Sequence, residues 1–301
     1  MNSPWLVVLN PISGQGRAMH HRHEIEAVLR RHGIDFALEI SERPGHAIEI
    51  VSGAIRSGCR HVLAVGGDGT VNECANGIFR QDAVATTEIT LGVMPIGTGN
   101  DWARTHRIPK DYAEVAALMA AETSRLHDVG VAEFDGAKRH FINVAGIGFD
   151  AHVVEALPDR TLGPMAYLVG LVKGLLSYTA VPLRLTFGER KLEARAFVLF
   201  FAIGRFCGNG MNVAPQAEVD DGLFDVTLVQ ELSRWEVLKS LRKLFDGTLL
   251  THPKVLALRE AWGAVETAIA QPVEADGELI GHAPVRFSIL PRALRVITPQ
   301  E

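Results

Sequence analysis

The stretch Val62–Asn72, VLAVGGDGTVN, sets glycines and one carboxylate where a phosphate could be held. Val62–Val65 reads as a buried strand, Gly66-Gly67-Asp68-Gly69-Thr70 as a turn, and Val71–Phe79 as a helix. Glycines at a strand-to-helix turn let the backbone take φ > 0 and approach a ligand closely. Successive backbone N–H groups at a helix N-terminus then form an anion site. Asp68 is the odd member. A carboxylate inside a phosphate loop repels phosphate unless it holds Mg²⁺ or handles a proton, which points to metal-assisted phosphoryl transfer. The blander alternative is a tight glycine turn capped by Asp68, and these five residues alone leave it standing.

The elements that must position this turn follow a strand–helix rhythm. Trp5–Leu9 reads as a strand and Asn10-Pro11-Ile12-Ser13-Gly14-Gln15-Gly16 as a loop of turn formers. Arg17–His32 reads as a helix with Ile25, Val28, Leu29 and His32 on one face, stopped by Gly33. Phe36–Ile40 is a second strand, Ser41 to Gly45 a loop, and His46–Ser57 a helix ended by Gly58. After the helix from Val71, Leu91–Met94 is a strand and Pro95-Ile96-Gly97-Thr98-Gly99-Asn100-Asp101 another glycine loop. Such repetition with short connections is the signature of a mainly parallel α/β sheet. Ligands in such sheets sit at the carboxyl ends of the strands, so the Gly/Asn-rich loops are expected to converge on one crevice. No loop matches G-x-x-x-x-G-K-[ST] or completes G-x-G-x-x-G, which disfavours an ordinary P-loop NTPase or dinucleotide site.

After about Ala121 the pattern changes to alternating runs separated by turns. Arg125–Phe134, Asp135-Gly136 and Arg139–Ala145 read as a hairpin, and Leu183–Phe187, Gly188-Glu189 and Leu192–Ile203 as another. Leu223–Gln230, Val255–Arg259, Ala264–Ala270, Val285–Leu290 and Leu294–Ile297 are further strands. Two helices, Gly163–Tyr178 and Ser233–Phe245, are inserted, the latter with Val237, Leu241 and Leu244 on one face. The expected fold is an α/β domain over residues 1–124, followed by an antiparallel β-sandwich domain over 125–301. Its final strand has the option of returning to the first domain.

Composition narrows the function classes. A chain of 301 residues with 47% apolar content is ordinary for a globular protein of one or two domains. Net charge is −5 and no Lys/Arg block occurs, so nucleic acid is not an expected partner. Cys59, Cys74 and Cys207 form no C-x-x-C pair, which argues for a reducing compartment and against a cysteine metal site. MNSPWLVVLNP lacks a basic n-region, and no apolar stretch approaches the ~20 residues of a membrane span. A cytoplasmic protein without a transmembrane segment is expected.

GGDGTVNECANG followed by PIGTGNDWAR resembles the catalytic domain of diacylglycerol and sphingosine kinases, and the length and layout are similar to the bacterial members. Asn10-Pro11 with Gly14, the Ser41 to Ala47 stretch, Asp221-Gly222-Leu223 and Asp276-Gly277-Glu278 continue the likeness over nearly the whole chain. GGDGT alone is shared with NAD kinases; the second loop and the late motifs are more specific. The resemblance implies an NAD kinase/diacylglycerol kinase-like α/β domain with ATP bound between it and the β domain. It implies nucleotide contacts at Asn10, Pro11, Gly14, Ser41, Gly66, Gly67, Asp68, Gly69, Thr70, Val71, Asn72 and Thr98. Many relatives have Thr at the Ser41 position; the hydroxyl is retained. Asp68 and Asp101 are implied near the transferred phosphate, by Mg²⁺ binding or hydrogen bonding.

Two late motifs gain meaning from the resemblance. As a sequence, Asp276-Gly277 between Val273–Ala275 and Leu279–Gly281 is a hairpin turn. The resemblance makes Glu278 the general base toward the lipid hydroxyl, a role that typically contributes ~10²–10⁴-fold. As a sequence, Glu218-Val219-Asp220-Asp221-Gly222-Leu223 is a solvated turn entering a strand. The resemblance implies that the Asp221 carboxylate and the carbonyls of Glu218 and Leu223 hold a structural Mg²⁺. His20, His21 and His23 sit at metal-like spacings, but Arg22 between them opposes a cation, and the polar side of the first helix accounts for them. Met165–Tyr178 is apolar apart from Lys173 and too short to span a bilayer; a core helix and a surface admitting lipid tails both remain open. Arg160, Lys173 and Arg184 would suit anionic lipid.

The resulting expectation is an ATP- and Mg²⁺-dependent kinase acting on a primary hydroxyl of a membrane lipid, foremost diacylglycerol, giving phosphatidic acid. It would be cytoplasmic and transiently peripheral to the membrane, with homodimer formation left open. The alternatives are a sphingoid base, ceramide or other lipid alcohol as acceptor, an NAD-kinase-like enzyme, or a non-catalytic nucleotide-binding module. Asp68, Asp101 and Glu278 together argue against the last.

Overall fold

The computed structural model describes residues 4–156, 174 and 178–300. Apart from Gly174 and Tyr178, the Met165–Tyr178 segment with Lys173, and also Arg160, lie outside the described residues. In chain order the first elements are β1 (Trp5–Leu9), α1 (Arg17–His20), α2 (Arg22–Arg31), β2 (Phe36–Ile40), α3 (His46–Arg56) and β3 (His61–Gly66). Next come α4 (Asp68–Arg80), β4 (Thr90–Pro95), α5 (Asp101–Thr105), α6 (Tyr112–Ala120) and β5 (Ser124–Phe134). Then follow β6 (Ala137–Phe141), β7 (Val144–Gly148), α7 (Phe149–Ala156), β8 (Val181–Phe187), β9 (Arg190–Ala202), β10 (Phe206–Cys207), β11 (Met211–Asn212) and β12 (Phe224–Gln230). The described chain ends with α8 (Arg234–Ser240), β13 (Val255–Glu260), β14 (Trp262–Glu266), β15 (Pro272–Ala275), β16 (Glu278–His282) and β17 (Val285–Ile297). These elements form two compact units, residues 1–129 with 291–301, and residues 130–290.

In the first unit β17, β4, β3, β1 and β2 lie side by side, with every pairing parallel. The central strands β1, β3 and β4 are continuous apolar runs because helices cover both of their faces. Val7, Val8, Leu9, Leu63, Ala64 and Val65 are fully buried, as are Ile25, Leu29 and Ile55 from the covering helices. α3 and α4 pack closely because Gly77 carries no side chain: a Cβ there would stand 2.7 Å from Val51 Cβ and 3.0 Å from the Ile48 carbonyl oxygen.

The second unit is antiparallel throughout. β9 is its central strand. Its N-terminal half pairs with β8, and its C-terminal half lies between β7 and β12. Leu199 and Phe201 point into one apolar cluster, and Val198, Phe200 and Ala202 into another. The first cluster is built on aromatic contacts: Phe201 stacks on Phe287 at 4.3 Å and meets Phe224 edge-on at 5.6 Å. Both faces of the C-terminal half of β9 are thereby buried, as a β-sandwich requires.

The structure corrects several sequence-based boundaries. The first helix is two, interrupted at His21, whose φ of −89° and ψ of 5° leave the helical region. Residues 139–145 are not one strand: β6 ends at Phe141 and β7 begins at Val144. Val285–Leu290 and Leu294–Ile297 are one strand. Pro291 does not end it, because Arg292 at φ 50° turns its N–H to Asp128 Oδ1 (2.6 Å) and the chain stays in the sheet. Ser233–Phe245 is the helix Arg234–Ser240 continued by a 3₁₀ turn, Leu241–Leu244.

Gly77→Ala is expected to cost about 1–3 kcal/mol, because a backbone carbonyl and a β-branched side chain cannot both retreat from the added methyl. A shift in the urea midpoint at unchanged slope is the measurement. A wild-type midpoint would show that the α3–α4 spacing is not set by this glycine.

Candidate active site

The GGDGT residues are the end of a strand and the start of a helix rather than a separate turn. Gly66 ends β3, Gly67 caps α4, and Asp68 opens the helix. Helix α4 thus begins three residues earlier than the expected Val71. Gly67 has φ −95° and ψ −171°, extended backbone that any residue adopts, so positive φ is not why glycine stands here. Crowding is the reason. A Cβ on Gly66 would lie 2.3 Å from Thr70 Oγ1, and one on Gly97 would lie 2.7 Å from Gly67 Cα. The β3–α4 turn and the loop after β4 are therefore in backbone contact, with Ile96 N–H donating to Gly66 O at 2.8 Å.

This contact gathers the first unit's expected site residues. Asn10 Nδ2 donates to Thr70 Oγ1 at 3.1 Å, and Ser13 Oγ lies 3.5 Å from the same hydroxyl. Asp68 Oδ1 accepts the Trp102 N–H at 3.1 Å, so Asp68, at the start of α4, is tied to the start of α5 beside Asp101. Arg104 Nε stands 3.6 Å from Asp101 Oδ1. Gly14 does need positive φ (60°), and it turns the first loop so that Gly14 O accepts from Arg17 Nε at 3.0 Å. Ser41 is buried where β2 ends, with its N–H on Leu9 O. Pro11 is half-buried and Thr98 exposed at the loop surface, and Gly69 follows Asp68 in the first turn of α4. Val71 and Asn72 are buried on the inner side of α4, Asn72 bonding Asn76 and the Val71 N–H donating to Gly67 O at 3.1 Å.

Three residues here were missed in the sequence. Arg17 Nη2 reaches Gly97 O at 3.5 Å, bridging the first and last loops. Asn100 Nδ2 donates to the same carbonyl at 3.0 Å. Glu73 accepts from Gly45 N (2.8 Å) and Ala47 N (3.2 Å), fastening the start of α3 to α4. The signal for Glu73 was present: an acid one turn into a helix, and a Gly-His-Ala loop with N–H groups to satisfy.

In the second unit Asp276 (φ 49°) and Gly277 (φ 81°) form the turn between β15 and β16, and Glu278 opens β16. Glu278 Oε2 is held by Arg139 Nη2 at 2.9 Å, which fixes the carboxylate's direction. Asp276 is more than a turn former. It is buried, and its carboxylate accepts the N–H groups of Ile142 (2.9 Å), Asn143 (2.9 Å) and Val144 (3.2 Å). Glu274, 3% exposed, accepts the Gly277 N–H at 2.9 Å from inside the sheet. Burial, and then the neighbouring Asp150 carboxylate, hold its carboxyl well above the usual range. Both carboxyls close on Gly146, where a Cβ would stand 2.9 Å from Glu274 Oε1 and 3.2 Å from Asp150 Oδ2.

The Glu218–Leu223 turn is arranged otherwise than the resemblance implies. Asp221 Oδ1 accepts the Leu223 N–H at 2.9 Å, and Oδ2 is ion-paired with Arg259. Arg259 also lies 3.6 Å from Asp225, whose carboxyl is pushed up to about 6 by burial and by Glu218. The Glu218 side chain is exposed. The Asp221 carboxylate is thus taken by a guanidinium in this fold, and holding Mg²⁺ there would require Arg259 to move away. Asp68 and Asp101 supply hard oxygen donors at neighbouring helix N-termini, with the Arg104 guanidinium 3.6 Å from Asp101 Oδ1. Among the described residues no cluster of three or more His, Cys, Asp and Glu side chains forms a metal cage, and His21 bonds Glu24 at 2.9 Å.

The comparisons match the chain in two parts. Residues 4–132 match the diacylglycerol kinase catalytic domain, and residues 143–298 match the YegS C-terminal NAD kinase beta sandwich-like domain. A diacylglycerol kinase of Mycobacterium tuberculosis is 30% identical, the alignment covering 97% of this chain and 94% of that protein. A protein of Chromohalobacter salexigens named "Probable lipid kinase YegS-like" is 29% identical over 98% of this chain and 93% of its own. A solved diacylglycerol kinase structure from Bacillus anthracis superposes with a TM-score of 0.75 at 24% identity, covering 98% of this chain and 97% of that one, and shows the same fold. The chain belongs to the family of lipid kinases built on the diacylglycerol kinase catalytic domain.

Two measurements test the geometry. Gly67→Val is expected to abolish ATP binding with the circular dichroism spectrum retained. The reason is the 3.2 Å between a Cβ at Gly67 and Gly97 Cα, which forces the two loops apart. Unchanged ATP affinity in the folded variant would sink this placement. A glutamate whose folded-state carboxyl titrates high contributes stability below its unfolded value of 4.5 and loses it as pH rises through the folded value. Thermal unfolding of wild type should therefore fall relative to Glu274→Gln as pH rises above 4.5. Parallel curves for the two proteins would show that Glu274 is ionised in the fold.

Proposed function

We propose that this chain transfers the γ-phosphate of ATP to the primary hydroxyl of diacylglycerol, giving phosphatidic acid. The observation that carries the phosphoryl-transfer part is the Asp68–Trp102 bond, which brings two acidic helix starts and two glycine turns together in the first unit. Backbone N–H groups at the start of α4 would receive phosphate oxygens, since these loops have no P-loop lysine. Asp68 and Asp101 would hold Mg²⁺, which when bound neutralises charge on the transferring phosphate. Asn10, Gly14, Ser41, Thr70 and Thr98 would line the nucleotide. Glu278, aimed by Arg139, would take the proton of the attacking hydroxyl. Diacylglycerol as acceptor is supported by relatives named diacylglycerol kinase that match over nearly the full chain.

ADP release measured across a panel of lipids in mixed micelles tests the acceptor. Diacylglycerol is expected to turn over fastest and NAD to have no effect; a sphingoid base, ceramide or NAD in first place would replace this reading. Steady-state kinetics across Mg²⁺ concentration test the roles. Glu278→Gln should lower the rate ~10²-fold or more, about 3 kcal/mol, with ATP affinity nearly unchanged. Asp68→Asn should also alter the Mg²⁺ dependence. A Glu278→Gln enzyme within about threefold of wild type would leave Glu278 as the edge of a hairpin, since general-base catalysis is worth far more.

A further inference from the structure

Helix α8 and its 3₁₀ continuation carry two apolar faces. One points inward: Val237 is buried with Phe197, Val198 and Val229, and Leu232 and Leu244 pack on the same cluster. The other points to water. Trp235 is 74% exposed, Leu238 55% and Phe245 60%. Trp235 and Leu238 stand at i and i+3 on one side of α8, and Phe245 follows directly on the 3₁₀ turn, so the exposure is gathered on one short segment. Trp235 is unlike the chain's other tryptophans: Trp5 and Trp102 are buried, and Trp262 lies under the Arg286 guanidinium at 4.0 Å.

Positive charges outnumber negative ones around this patch. Arg234, Lys239 and Arg242 are exposed, and Lys243 adjoins them. Within the helix the one acid is Glu236, whose carboxylate is taken by the Ser233 N–H (2.8 Å) and Lys254 (2.9 Å). Asp246, just beyond, lies 3.6 Å from Arg242 Nε. The whole chain carries −5, so this face is opposite in sign to the protein that bears it. A capping box at Ser233 and the buried Val237 hold the helix in place, so docking it requires little further ordering.

We propose that the face formed by Trp235, Leu238, Lys239, Arg242 and Phe245 docks the enzyme on an anionic bilayer. Trp and Phe side chains settle at the headgroup boundary, and Lys and Arg bury their stems while pairing with anionic headgroups. Charge favours this occupant over a second copy of the chain, because a two-fold contact would bring this basic face against its own image. The inference deepens the lipid kinase reading, on which its biological sense rests, but binding can be measured without turnover.

The test is co-sedimentation with phosphatidylcholine vesicles and with vesicles enriched in phosphatidylglycerol. It uses the full chain and two double variants, Trp235→Ser/Leu238→Ser and Lys239→Gln/Arg242→Gln. Wild type is expected to partition onto the anionic vesicles with a blue shift in tryptophan emission. Each double variant should bind about tenfold less or weaker, with ATP affinity and turnover of a dispersed short-chain diacylglycerol unchanged and turnover of vesicle-embedded diacylglycerol reduced. Wild-type partitioning by both variants would overturn the proposal. So would size-exclusion chromatography in which Trp235→Ser/Leu238→Ser converts a dimer to a monomer without affecting vesicle binding, which would assign the face to a second copy. Absence of turnover on every lipid, with vesicle binding lost in the variants, would remove the kinase reading and leave the docking face in place.

Discussion

The first unit depends on two stretches of backbone touching where side chains would forbid it. Gly66 has no room for a Cβ beside Thr70, and Gly67 and Gly97 pack face to face. That contact sets the Thr70 hydroxyl within reach of Asn10 and Ser13 and the Asp68 carboxylate on the amide after Asp101. Overpacking in such a place typically costs 1–3 kcal/mol, and a few tenths of an ångström at the loops is carried straight to the helix starts. The parallel sheet beneath supplies the rigidity. β1, β3 and β4 are buried on both faces, so the loops at their carboxyl ends are held by strands that cannot slide.

The second unit solves a similar positioning problem with charge rather than crowding. Asp276 accepts three backbone N–H groups from the β6–β7 connection, and hydrogen bonds to a charged acceptor contribute about 1.5–3 kcal/mol each. Glu274 holds the Gly277 amide from below, and its high-titrating carboxyl can share a proton with Asp150 instead of placing two charges in the core. The hairpin that carries Glu278 is thus anchored on both sides of its turn, and Arg139 sets the last torsions. A base on so short a hairpin would otherwise be free to swing.

Electrostatics in this protein is local. A net charge of −5 gave no reason to look for a basic surface, yet α8 presents one. At Asp221 the reverse holds: a turn that reads as acidic is closed by Arg259, some forty residues on in the chain. Both outcomes depend on which side of an element faces the core, and net charge averages over that choice.

The sequence by itself determined the fold class, because periodicity is local. Alternation marked the strands of the second half, and apolar runs between glycine loops marked the parallel sheet. It determined the family too, because GGDGT, PIGTGND and the late Asp-Gly pairs lie in a fixed order. Only the tertiary structure decided why the glycines are glycines. Gly14 answers to positive φ and to the Ile96 carbonyl, Gly66 to Thr70 one helical turn on, and Gly67 to Gly97 thirty residues on, and no local rule separates these cases. Only the structure turned Asp276 from a turn former into a buried anchor and revealed Glu73 and Arg17 as ties between loops, since their partners lie 28 to 134 residues away. It also decided what lies off the apolar face that the sequence marked with Val237, Leu241 and Leu244. Packing against β9 and β12 buried Val237 and left Trp235, two residues away, in water.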